Sequence, residues 1–466
     1  MTDRFTDMLR HKLTIDWDKD AGPIDLRNHS TGIGGVHSMP APAPIVDAIA
    51  RLKPRMIRIF LQEFFYIYPD HGVFDWAKMD AYMDAVHAMG GDIMATICIK
   101  PKVLYPKVDE SIWMPTDVKE WQNVIREMVL RYTKVKPYVT HWAIANEMNI
   151  GEFGGCPYLI TNPDDFFEYY KITAQPIREA LPDVKVGGPH YAGSKGGAEY
   201  LARFVELCKL NNVGVDFICY NMYSNNPDEH QSDARGMRNA VDKFFPGIEF
   251  YMTEFNIGIG EEVSLEEKPF DPKRAASLAA SILQLHEDGA LDGTFQYHTY
   301  DQWNDPREFA AFYERTRFMA FHWNDHPHRC GLLDLKGKVR PQYFMYKLLY
   351  ELAGKRVAME GTGKLMRGLS SLSDNGNLNV FLVNYGEKGT PDGIARCAFE
   401  NAPEGVYTMN VYKIDKESAA AMKAAQTTDT NLPPAESRVV YLHPYFKFDV
   451  FIPADTVGLV QFVKEC

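Results

Sequence analysis

Eight short apolar runs, each followed by a longer amphipathic stretch, occupy the first 350 residues and leave few folds open. The runs are GIGGVH (32–37), RMIRIFL (55–61), GDIMATICI (91–99), VTHWAIANE (139–147), VKVGGP (184–189), VDFICYNMY (215–223), IEFYMTE (248–254) and GTFQYHTY (293–300). Between them, segments such as WAKMDAYMDAVHAMG and PKRAASLAASILQLHEDGA carry apolar residues at helical spacing, the second with a glycine near its end. Strands apolar on both faces and separated by helices imply a parallel sheet covered on both sides. Eight units of about 30–50 residues fit an α/β fold of the (β/α)8, or TIM, barrel type. A doubly wound open sheet competes. It loses because the first turn, GIGGVHSMPAP, lacks the acidic residue and helix spacing of a dinucleotide site.

Beyond residue 352 the rhythm changes. NLNVFLVNY, VYTMNVYKI, RVVYLHPYFKFDVFI and VGLVQFV alternate with a period near two and are divided by Gly, Pro, Asn and Asp. That pattern predicts a small antiparallel β-sandwich, to which KLTIDW (12–17) would add a strand. The expected division is a catalytic barrel over 1–352 and an accessory sandwich over 353–466.

A net charge of −12 with no Lys/Arg cluster disfavours nucleic-acid and anionic-membrane partners, which need a basic face. No apolar run approaches the roughly 18 residues of a membrane span. The seven cysteines are scattered and odd in number, which reads as reduced thiols. The N-terminal MTDRFTDMLRHKL has no apolar signal region. The expectation is a cytoplasmic protein, the alternative being a secreted one that has lost a leader.

In a TIM barrel the functional residues sit at the C-terminal ends of the strands. Glu147 ends the fourth run, in THWAIANEMNIG, and Glu254 ends the seventh, in IEFYMTEFNIG. A single strand-end glutamate is better read as pairing with an arginine such as Arg58. Two, three βα units apart and one preceded by Asn146, are better read as facing each other across the barrel mouth. Such a pair suits glycosidic cleavage, where retention requires carboxyl groups roughly 5–5.5 Å apart. Arg58 and Gln62 lie at the second run, Asn221 and Tyr223 end the sixth, and His298, Asp301 and Trp303 follow the eighth. Aromatic faces pack on pyranose C–H faces while amides and carboxylates hold hydroxyls, so the set resembles a sugar pocket.

Asn-Glu closing the fourth strand and Glu closing the seventh resemble the clan A retaining glycoside hydrolases. WAIANEMN, FYMTEFN, VKVGGP, VDFICYNMY and FHWNDHPHRCGLLDLKGKVRPQYFMYKLL resemble, in order, glycoside hydrolase family 39, the group of β-xylosidases and α-L-iduronidases. The resemblance covers roughly residues 30–350. It implies Glu147 as general acid/base, Glu254 as nucleophile, Asn146 on the sugar 2-hydroxyl, Tyr223 orienting Glu254 and Trp303 in the floor of the sugar site. The chain departs from the family at Asn221, where His is usual, at Met148, where Pro is usual, and at Phe60, where His is common. These positions line the pocket wall and bear on the substrate rather than the reaction.

The implied reaction is double displacement on an oligosaccharide or glycoside, without a cofactor or metal. Exo action on a β-xyloside-like or related glycoside is expected, because the long segments 100–118 and 149–163 can close one end of the mouth. An endo-acting glycanase of the same clan and a catalytically inactive carbohydrate-binding barrel are the alternatives. The cluster His322, His326, His328 and Cys330 lacks zinc-ligand spacing, and the strand ends show no converging set of carboxylates for a metal-dependent barrel enzyme. The acidic stretch 261–271 reads as a solvated loop. Self-association into a homo-oligomer stays open, since no feature fixes a subunit number.

Overall fold

The computed structural model describes residues 8–34, 39–257, 268–303, 305, 307 and 329–465. The chain opens with a long strand, β1 (Leu9–Asp25), and then enters the barrel. Its strands are β2 (His29–Ile33), β3 (Met56–Gln62), β4 (Asp92–Cys98), β5 (Val139–Ile144), β6 (Lys185–Ala192), β7 (Phe217–Tyr223), β8 (Glu249–Asn256) and β9 (Gly293–Tyr297). All are parallel in sequential order, and β9 pairs back onto β2 to close the cylinder. The helices around it are α1 (Ala43–Leu52), α2 (Ala77–Ala88), α3 (Val118–Leu130), α4 (Pro163–Ala180), α5 (Gly197–Leu210), α6 (Pro227–Asp242), α7 (Pro272–Asp288) and α8 (Pro341–Leu349).

Local chemistry sets the helix starts. Asn162, Asn226 and Asp271 each cap a helix by accepting an N–H two residues on, and each precedes a proline at the first helical position. Asp271 thus has a structural duty at the end of the acidic 261–271 stretch, of which residues 261–267 lie outside the described residues.

Along β3 the outward residues Ile57, Ile59 and Leu61 join the main core, while Arg58, Phe60 and Gln62 face the lumen. The lumen changes character along its axis. Its N-terminal layer is apolar, made by Met94, Ala143, Phe217, Cys219, Tyr251 and Phe295. The layers above it are polar, as function at the C-terminal end requires.

The remaining strands, β10 (Ala353–Glu360), β11 (Met366–Leu372), β12 (Leu378–Asn384), β13 (Gly393–Glu400), β14 (Gly405–Ile414), β15 (Glu436–Leu442), β16 (Lys447–Ile452) and β17 (Thr456–Lys464), form one sheet with β1. The order is β15-β14-β17-β12-β11-β10-β1-β13-β16. The sheet curls over a shared core in which Trp17, Phe399, Phe448 and Phe462 pack edge to face at 5.0–5.5 Å. The N-terminal strand joins this sheet as the sequence suggested, pairing antiparallel with β10 and parallel with β13.

Three details differ from the sequence reading. The first barrel strand lies at 29–33 rather than 32–37. RVVYLHPYFKFDVFI divides into β15 and β16 around the turn at 443–446. Helix α9 (Lys416–Ala425) was not anticipated, nor were β10, β11 and β13, whose apolar patterns Lys355, Arg356, Ser370, Ser371 and Arg396 interrupt.

Candidate active site

Strand β5 stops at Ile144, short of the glutamate. Ala145 and Glu147 take left-handed backbone angles (φ 60° and 44°), a strained turn for residues with side chains. The turn stays anchored because Ala145 N–H donates to Ile97 O at 3.1 Å and Glu147 N–H to His190 O at 2.7 Å. The chain then coils through Gly151–Gly154 and passes so near Glu147 that a Cβ on Gly154 would lie 2.3 Å from Oε2. Only glycine fits there.

The second carboxylate is aimed by an irregularity in the sheet. In the β7–β8 pairing Tyr220 faces Met252 and Asn221 faces Glu254, leaving Thr253 as an extra residue. The β8–β9 register slips at the same place. This bulge lets the consecutive residues Thr253 and Glu254 both turn into the lumen.

Arg58 is the hub of the site. Only 1% exposed, it donates from Nη1 to Glu254 Oε1 at 2.8 Å and from Nη2 to Asn146 Oδ1 at 2.6 Å, with Phe60 stacked 3.8 Å from its guanidinium carbon. Tyr223 Oη donates to Glu254 Oε2 at 2.6 Å, so both oxygens of that carboxylate are held. Glu147 Oε1 accepts from Asn221 Nδ2 at 2.9 Å. Asn146 Nδ2 donates to Gly154 O at 2.8 Å. Beneath them His190 lies 2.7 Å from Thr253 Oγ1 and 3.2 Å from Arg58 Nη2.

The electrostatics bear on Glu147 and its neighbours. Burial, then the charge of Glu254, pushes Glu147 well above the usual carboxylate range, with Asn221 and Arg58 pulling the other way. Burial and Arg58 keep His190 neutral. Burial and Glu254 raise the Tyr223 phenol, so it stays a donor.

The structure thus brings Arg58, Asn146, Glu147, Asn221, Tyr223 and Glu254 into one network. Gln62 is buried at the mouth, where Nε2 braces Gly155 O at 2.6 Å. His298 is buried, its ring stacked on Tyr297, which meets Tyr223 edge-on. Asp301 lies apart from this network. It is 1% exposed and gripped by both Arg340 nitrogens at 2.8 and 2.5 Å, with Gly331 N–H at 3.1 Å. Its oxygens are thus taken up by Arg340 and Gly331. Trp303 is 56% exposed. Of the histidine cluster, His322, His326 and His328 lie outside the described residues, while Cys330 is buried with its thiol directed to Tyr297 O at 3.3 Å.

Thr253, His190, Gly154, Tyr297 and Thr96, whose hydroxyl accepts from Arg58 Nε at 3.3 Å, were missed by the sequence reading. Thr253 adjoins Glu254 in FYMTEFN, but the bulge that turns it inward leaves no mark on the apolar pattern.

The two loops flanking the mouth are stitched together. Lys100 N–H donates to Glu63 at 2.6 Å, Lys100 Nζ reaches Asp109 O and Pro157 O at 2.7 and 2.9 Å, and Glu110 accepts from Glu152 N–H at 2.8 Å.

Comparison with known proteins agrees with this geometry. Residues 57–380 match the family described as glycosyl hydrolases family 39. A β-xylosidase of Caldicellulosiruptor saccharolyticus is 24% identical over 268 residues, covering 54% of this chain and 50% of that protein. An α-1,4-L-rhamnosidase of Formosa agariphila is 36% identical over 117 residues, 24% of this chain and 23% of that one. The chain thus spans half or less of the curated relatives it matches. The crystal structure of a family 39 enzyme from Xanthomonas axonopodis pv. citri superposes with a TM-score of 0.75 at 19% identity, covering 100% of this chain and 99% of that one.

Proposed function

The chain belongs to glycosyl hydrolases family 39, and from that premise we propose that it is a retaining, exo-acting glycoside hydrolase. The observation that carries the reading is the pair of carboxyl groups in opposite environments. Glu254 is held by Arg58 and Tyr223, while Glu147 is buried and driven toward its protonated form. Pairs of acids pushed apart in this way divide nucleophile from proton donor.

In the first step Glu254 attacks the anomeric carbon, and Glu147 gives its proton to the departing glycosidic oxygen. In the second, Glu147, now ionised, takes a proton from water, whose oxygen displaces Glu254 and restores the carboxylate. Asn146 keeps one amide hydrogen beyond its bond to Gly154, which suits the sugar 2-hydroxyl. Gln62 and His298 are assigned to the pocket wall.

The stitched loops at 100–118 and 149–163 support a mouth closed on one side, hence removal of terminal residues. A β-xyloside-like or related glycone is favoured by the names of the relatives. Catalysis is assigned to the barrel within residues 1–352, and the sheet of 353–466, joined by β1, is its accessory.

The test is a panel of aryl glycosides, in β-xylo, β-gluco, β-galacto, α-L-arabino, α-L-rhamno and uronide forms, with wild type beside Glu254→Gln. Release from one sugar by wild type alone establishes the reaction and names the glycone. Silence on the panel with cleavage inside oligosaccharides replaces exo by endo action. Silence on both, with sugar still bound, leaves a binding protein.

A further inference from the structure

The hydrogen bonds around Glu147 have their directions fixed by two groups with no choice. The carbonyl of Gly154 only accepts, so the Asn146 amide presents Nδ2 to it at 2.8 Å. The guanidinium of Arg58 only donates, so the Asn146 atom 2.6 Å away is Oδ1. The two constraints agree. Asn146 Oδ1 then faces Asn221 at 3.3 Å and orients Nδ2 of that amide toward it. The same Nδ2 lies 2.9 Å from Oε1 of Glu147. Asn221 Oδ1 is left pointing the other way, 2.8 Å from the hydroxyl of Thr253. That hydroxyl also meets Tyr220 O at 3.2 Å and His190 Nδ1 at 2.7 Å, so its one hydrogen serves Asn221 when His190 carries its own on Nδ1 and donates it to the hydroxyl. Asn221 and Thr253 are both buried.

We propose that Thr253 is a positioning residue for the acid/base: its hydroxyl donates to Asn221 and locks that amide with its N–H on Oε1 of Glu147. The proton for the leaving group then sits on Oε2, the oxygen beside Gly154, where a side chain would collide. This rests on the assignment of Glu147 as general acid/base.

Without the Thr253 hydroxyl, Asn221 Oδ1 is buried with no donor among the described residues, and only the 3.3 Å contact to Asn146 Oδ1 opposes its turning that oxygen to a protonated Glu147. Hydrogen bonding to the neutral form holds a proton on the acid. The other ionisable groups facing Glu147 are Glu254 from β8, Arg58 from β3, Cys156 from the loop after β5, Tyr223 from β7 and Tyr297 from β9. Replacing the side chain at 253 leaves them in place, since Arg58 meets Thr253 through its carbonyl, at 3.3 Å. His190, buried and neutral, also loses its contact to the hydroxyl but brings no charge.

The experiment compares kcat/KM against pH for wild type, Thr253→Val and Thr253→Ser on a glycoside with a poor leaving group. The basic limb of Thr253→Val moves to higher pH by about one unit, the scale of one hydrogen bond lost to the charged form, and that of Thr253→Ser overlays wild type. A titration of 13C-labelled glutamate side chains by NMR, with the Glu147 signal identified by its loss in Glu147→Gln, shows the same rise in midpoint. An unmoved basic limb or an unmoved midpoint overturns the proposal, whatever happens to the rate. The NMR arm needs no turnover, so silence on every glycoside defeats the hydrolase reading without deciding this one. Should Thr253→Val not fold, Thr253→Ala is measured in the same way.

Discussion

The Tyr223 phenol oxygen lies 2.6 Å from Oε2 of Glu254, on the side of that carboxylate opposite Arg58. The two donors together fix the plane of that carboxylate. A hydrogen bond to a charged acceptor contributes about 1.5–3 kcal/mol, so Tyr223→Phe should lower kcat roughly 10–100-fold. Michaelis constants should change little. Steady-state kinetics decide it: a raised KM with kcat intact would make Tyr223 a sugar ligand instead.

Glu147 should be needed in proportion to how poor the leaving group is. Glu147→Ala is expected to slow alkyl glycosides far more than activated aryl glycosides, because the latter depart without a proton. Gly154→Ala should show the same leaving-group dependence more weakly, since its new Cβ would meet Glu147 rather than the sugar. Equal loss on both substrate types in Glu147→Ala would remove it from the acid/base role.

Arg58 carries structure as well as charge. Replacing it with Met leaves Glu254 buried without a countercharge, and breaking a buried pair in this way costs about 3–5 kcal/mol. Adding Glu254→Gln to Arg58→Met should recover part of that loss. Urea unfolding of the four proteins of the cycle measures it. Strict additivity would mean that Arg58 stabilises through its contacts to Asn146, Thr96, the Thr253 carbonyl and Phe60 instead.

The barrel was legible because parallel strands buried on both faces read as near-continuous apolar runs, and because strand-end Glu147 and Glu254 stand out against them. The details that make those glutamates a site were not legible. A left-handed Ala145 and Glu147, and an extra residue at Thr253, are register and dihedral effects that a period-two pattern does not record. Asp301 shows a related limit: its position after the last strand suits a sugar ligand, while its partner Arg340 is 39 residues away and only the fold joins them. Asp301→Asn should therefore lower the unfolding midpoint markedly while the folded enzyme keeps its KM. A raised KM with unchanged stability would return Asp301 to the pocket.

Glu63 offers a test on stability alone. Buried among the mouth loops with the Lys100 N–H at 2.6 Å, its carboxyl is pushed up to about 8 by burial. A carboxyl raised in the fold binds its proton where the unfolded chain has released it. Its contribution is therefore complete below the unfolded value of 4.5 and is lost as pH climbs toward about 8. Glu147 acts in the same direction. Lys100, pushed down to about 8, acts only above that pH and in the opposite sense. Glu63→Gln cannot ionise, so its stability relative to wild type should improve steadily from pH 5 to pH 8, by at most about 1.4 kcal/mol per unit. Urea midpoints for the two proteins across that range decide it. A constant difference would mean that Glu63 does not change its proton between the folded and unfolded states in this window.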